Sequence, residues 1–100
     1  MKDGARPTWR LRLYVAGQTP KSIAALANLT RLCEAHRAGR YRIEVVDLLA
    51  QPHLARRDEI VVIPTLVRTQ PLPIRIIIGD LSNEERVLAA LGVHPRERGE

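Results

Sequence analysis

Three kinds of side chain in this sequence have chemical potential by type and spacing: one thiol, three imidazoles and a short run of carboxylates. Cys33 and His36 stand three apart, so on a helix they share a face and offer two metal ligands. Two ligands are too few for a tetrahedral site, and His53 and His94 could join them only through folding. Cys33 follows Leu32 on the apolar side of its segment, where a cysteine serves as a small buried hydrophobe. Asp80, Glu84 and Glu85 gather near a helix start, where capping and the helix dipole account for carboxylates. Neither a general acid nor a pocket is legible beside them. The chain carries no Gly-x-Gly-x-x-Gly, no P-loop and no Gly-x-Ser-x-Gly. No catalytic residue, metal ligand or cofactor is therefore assigned, and an enzyme reading has no residues to stand on.

The elements that would position any site follow from periodicity. Trp9, Leu11, Leu13 and Val15 alternate with Arg10, Arg12 and Tyr14, the period of a strand. Ala16-Gly17 breaks the strand, and Thr19-Pro20 forms an N-cap followed by a proline at the first helical position. Ile23, Leu26, Leu29, Leu32 and Cys33 recur at helical spacing to about His36, and Ala38-Gly39 ends the helix. Tyr41, Ile43 and Val45 alternate in a second strand. Asp47 to Arg57 carries a short helix interrupted at Pro52. Ile60-Val61-Val62-Ile63 reads as a buried strand continuing past Pro64 through Val67. Gln70 to Pro73 is a turn, and Ile74 to Ile78 a strand stopped by Gly79. Ser82-Asn83-Glu84-Glu85 fits a capping box with Ser82 as cap, opening a helix up to Gly92. Residues 1–8 are expected to be a loose end, 9–92 the single domain and 93–100 a charged tail.

Length and composition fit one small globular domain: 100 residues, 45% hydrophobic. No apolar run is long enough to span a membrane, and the N-terminus lacks the apolar stretch of a secretory signal. A single cysteine gives no internal disulfide, so the expected location is cytoplasmic. The net charge of +5 suits an acidic protein partner or a solvated basic surface. Nucleic-acid modules add stacking aromatics or a basic helix face, and here three aromatics accompany scattered arginines.

The resulting order, β-α-β-α-β-β-α, is the thioredoxin-like α/β arrangement. Redox enzymes of this order carry Cys-x-x-Cys after the first strand, where the helix N-terminus stabilises a thiolate. The corresponding loop here is Gly17-Gln18-Thr19-Pro20, without a thiol. In the same topology Pro64, before a buried strand, is a candidate cis proline.

Four segments resemble the KaiB family: Leu13-Tyr14-Val15-Ala16-Gly17-Gln18-Thr19-Pro20-Lys21-Ser22, Ile63-Pro64-Thr65-Leu66, Pro71-Leu72-Pro73-Ile74-Arg75 and Ile77-Ile78-Gly79-Asp80-Leu81-Ser82. The likeness runs in order from about Trp9 to Leu91. The sensor domain of clock histidine kinases shares the first segment. The resemblance implies a circadian clock component that binds a KaiC-type ATPase according to its phosphorylation state, with KaiA or a clock histidine kinase engaged indirectly. It also implies a metamorphic chain, whose resting fold β-α-β-β-α-α-β forms a homo-oligomer, a dimer or tetramer. The binding form is thioredoxin-like and monomeric. Gly17, Gln18, Thr19, Pro20, Ser22, Arg75, Gly79 and Asp80 are the expected partner-binding positions, the last two within the switching segment. Trp9, Ala24, Ile76 and Ala90 depart from the usual clock-type residues, as does the short mixed-charge end where an acidic tail is common. These departures leave a diverged KaiB-like module in stress signalling as the alternative.

Overall fold

Alternating apolar residues make β1 (Trp9–Val15) the centre of the domain in the computed structural model, which describes residues 8–93. Strand β2 (Tyr41–Asp47) runs parallel to β1, so the connection must cross the sheet, and α1 (Pro20–Arg37) provides it. A short α2 (His53–Arg57) precedes β3 (Thr65–Gln70), which pairs antiparallel with the other side of β1. β4 (Arg75–Ile78) closes a hairpin on β3, and α3 (Glu84–Ala90) follows. The sheet order is β2-β1-β3-β4, and the element order matches the thioredoxin-like reading. The expectations for the loose end and the charged tail fall largely on residues 1–7 and 94–100, outside the described residues.

Two cores flank the sheet. Trp9, Leu11, Leu13 and Val15 face Ala25, Leu29, Leu32 and Cys33 of α1 and Val87, Leu88 and Leu91 of the α3 region. On the other side Tyr14, Val46 and Leu54 pack together under α2. Tyr14, expected on the polar face with Arg10 and Arg12, is therefore only 2% exposed.

Three local expectations need correction. Residues 60–63 are not a buried strand: Val61 is 92% exposed, and Val62 and Ile63 are also open. Register explains this, since Thr65 opposes Tyr14 and β1 ends at Val15. A strand continuing back through 60–63 would run past the end of β1 with no ladder to join. Ser82 is not the cap of α3. Asn83 caps it, its side chain accepting from Arg86 N–H at 3.1 Å, while Ser82 N–H donates to Asp80 Oδ1 at 3.0 Å. Asparagine caps as well as serine, so the start shifts by one residue. Finally, Ile23 and Leu26 do not join the core, because the buried stripe of α1 is centred on Ser22, Ala25, Leu29, Leu32 and Cys33. The Ile63–Pro64 bond is cis, as are Gln70–Pro71 and Leu72–Pro73.

Candidate partner-binding site

Parallel β1 and β2 both end at one edge of the domain, and the chain there must turn sharply into α1. Gly17 makes that turn at φ +66°, a backbone region in which a side chain is strained. A Cβ at this position would also lie 2.9 Å from Leu49 Cδ1. Asp47, at the end of β2, accepts hydrogen bonds on Oδ1 from the N–H groups of Gly17 and Leu49, both at 2.9 Å. These bonds, Gly17 first, hold the Asp47 carboxyl below its ordinary pKa. Thr19 caps α1 by accepting from Ser22 N–H at 3.2 Å, and its hydroxyl lies 3.0 Å from Ser22 Oγ. Gln18, Thr19 and Pro20 remain exposed, whereas Ser22 is buried beneath them.

Beside this turn lies an apolar groove of about 500 Å³ between α1 and the open edge of β2. Gly17, Gln18 and Ser22 line its upper end, Ile23, Leu26 and Val45 its walls. Ile23 is 55% exposed and Val45 45%. Sequence periodicity missed these apolar residues as surface, because a strand-period valine and a helix-period isoleucine look like core. The available signal was the centring of the α1 stripe on Ala25 and Leu29, which leaves Ile23 on its shoulder. Asp47, likewise unselected, proves to be the anchor of the turn.

The C-terminal end of β4 reaches the same end of the sheet. Gly79 N–H donates to Pro64 C=O at 3.0 Å, and Asn28 Nδ2 on α1 donates to Asp80 C=O at 2.8 Å. Asp80 is held below its usual pKa by hydrogen bonds from Ser82, with Lys21 of α1 contributing a further attraction. The structure thus brings Gly17, Gln18, Thr19, Pro20, Ser22, Gly79, Asp80 and Pro64 to one end of the sheet. Arg75 stands apart: it opposes Arg68 at the far end of the β3–β4 hairpin. The other face of the sheet carries a second apolar surface, where Ile74, Ile76 and Ile78 are each more than half exposed beside Val61 and Val62.

Redox chemistry has no foothold at the turn. Cys33, the one cysteine of the chain, is fully buried within α1, and burial pushes its thiol up to about 12. No group of three potential metal ligands occurs among the described residues. No helix among them is long and apolar enough to cross a membrane.

Comparison with known proteins bears on the fold and the family. Among solved structures, the N-terminal domain of Synechococcus elongatus SasA superposes with a TM-score of 0.70 at 23% identity, over 87% of this chain and 86% of that one. Chloroplastic thioredoxin z gives 0.69 at 18% identity, over 89% and 80%. These likenesses establish a thioredoxin-like fold. The circadian clock oscillator protein KaiB of Thermosynechococcus vestitus is 46% identical over 95 residues, 95% of this chain and 88% of that protein. Its counterpart in Synechococcus elongatus is 49% identical over 86 residues, 86% and 84% of the two chains. The KaiB domain family model matches residues 12–93, so the chain belongs to the KaiB family.

Proposed function

We propose that this protein is a cytoplasmic clock or timer component that docks on a KaiC-type ATPase according to its phosphorylation state and modulates the ATPase's phosphorylation cycle. It acts by binding and not by catalysis. The carrying observation is the exposed apolar groove of Ile23, Leu26 and Val45, placed where the Gly17–Ser22 turn and the Gly79–Asp80 segment share one end of the sheet. Contiguous exposed apolar surface rimmed by polar groups marks a protein-binding surface. KaiA or a clock histidine kinase, where present, enters indirectly through the complex. The resting state in this reading is a homo-oligomer with the alternative C-terminal packing.

Size-exclusion chromatography with the host's KaiC hexamer and ATP tests the reading, using phosphomimetic and dephosphorylated forms. Co-elution that depends on KaiC's state is the expected result. No complex in any state would overturn it in favour of a diverged KaiB-like module in stress signalling.

A further inference from the structure

At the end of the domain opposite the proposed docking site, two arginines converge on the same side of the sheet. Arg68 of β3 and Arg75 of β4 are direct cross-strand partners, on the core side with Leu66 and Ile77. Like charges directly opposite one another are unfavourable unless something compensates them. Arg68 is only 5% exposed. It donates from Nη1 to Leu91 C=O and from Nη2 to Pro73 C=O, at 2.5 and 3.0 Å. Arg75 lies against the end of α3, its Nη2 3.6 Å from where a Cβ on Gly92 would sit. Nε of both arginines is buried without an acceptor among the described residues. A third guanidinium, Arg37, stacks 4.7 Å from the Trp9 ring centroid and adds its field to the pair.

The C-terminal dipole of α3 compensates part of this charge. A full helix terminus supplies about half an elementary charge, and α3 has 7 residues. Two guanidinium charges exceed that several-fold. Buried N–H donors without acceptors in a native fold require an explanation, and an unseen ion is one of the ordinary ones. The guanidinium fork matches planar and tetrahedral oxyanions, to which it donates two parallel hydrogen bonds.

We propose that Arg68 and Arg75 form a binding site for one phosphate-class oxyanion. The anion sits at the base of the β3–β4 hairpin and the end of α3, and ties these two elements together. Burial, then the charges of Arg75 and Arg37, depress the pKa of Arg68.

The test is a titration of the full chain with inorganic phosphate against chloride at matched ionic strength. The readouts are thermal unfolding and the arginine Nε–Hε resonances. The expected result is a saturable rise in unfolding temperature with phosphate only, and shifts confined to the Arg68 and Arg75 signals. Arg68→Gln removes two carbonyl contacts and risks misfolding, so the deciding variant is Arg75→Gln, which should weaken phosphate binding at least about tenfold. Arg42→Gln, on the opposite face of the sheet, should leave it unchanged. No saturable effect, or an equal effect in Arg75→Gln, overturns the site.

Discussion

Asp58 carries the most concentrated electrostatics among the described side chains. Its carboxylate accepts from Arg57 Nε at 2.9 Å and from the Tyr14 hydroxyl at 2.6 Å, and Arg12 Nη1 stands 3.9 Å away. The Arg57 bond, then the Tyr14 bond, holds it down at about 2. An unfolded aspartate titrates near 3.9. The folded value is the lower one, so the fold favours the ionised form. The associated stability is present above about pH 4 and is lost as pH falls toward about 2. Asp47 and Asp80 are lowered in the same sense. Asp58→Asn should therefore reduce the loss of stability between about pH 4 and 2, measured by urea midpoints across that range, without abolishing it. Thr19 offers a second single-atom test. Thr19→Ala removes the acceptor for Ser22 N–H and should lower unfolding stability by about 1 kcal/mol, with Thr19→Ser restoring most of it. An unchanged urea midpoint for the alanine variant would mean that the cap is supplied by other groups.

Elements were legible where local chemistry and tertiary packing agree. The Thr19-Pro20 start of α1 needs a hydroxyl acceptor and a residue without a donor, and both are visible in the sequence. The capping of α3 was legible to within one residue, since Ser82 and Asn83 are both good caps and only the Asp80 turn decides between them. The apolar run 60–63 was misread because its fate depends on where β1 ends, which is a matter of register and not of composition. The same limit hid the groove. Ile23 and Leu29 look alike in a helical pattern, yet one is 55% exposed and the other fully buried. The two should separate cleanly on mutation. Leu29→Ala should cost about 2–5 kcal/mol through the cavity it leaves. Ile23→Asp should hold stability within about 0.5 kcal/mol, measured by chemical denaturation. On the proposed function it should also weaken association with KaiC at least about tenfold. If Ile23→Asp bound as well as the parent chain, the groove would not be the docking surface.

At the scale of the whole molecule, the C-terminal half is attached to the N-terminal half at a few identifiable points. Leu81, Val87, Leu88 and Leu91 enter the shared core. Asn28 of α1 donates to Asp80 C=O at 2.8 Å, and His36 of α1 lies 2.8 Å from Glu84 of α3. Gly79 at φ +120° and Leu81 at φ +64° make the link between β4 and α3. A non-glycine residue in that region costs about 1–2 kcal/mol, and the burial of Leu81 is what offsets it. A chain able to adopt two packings needs them separated by only a few kcal/mol, so one hydrogen bond worth about 1 kcal/mol is enough to move the balance. Asn28→Ala should cost the thioredoxin-like arrangement about 1 kcal/mol, close to fivefold in population, without touching the groove residues. On the proposed function, with two packings in exchange, the consequence for KaiC depends on where that equilibrium stands. If the thioredoxin-like form is the minor state, apparent affinity should fall by the same factor of about five, because it scales with the competent fraction. If that form already dominates, affinity should hardly change, since removing a fifth or less of a large population is below what binding reads. Measuring KaiC affinity and the backbone amide spectrum of Asn28→Ala together distinguishes the two, and an unfolding stability equal to the parent's would show that the Asn28 bond does not couple the halves.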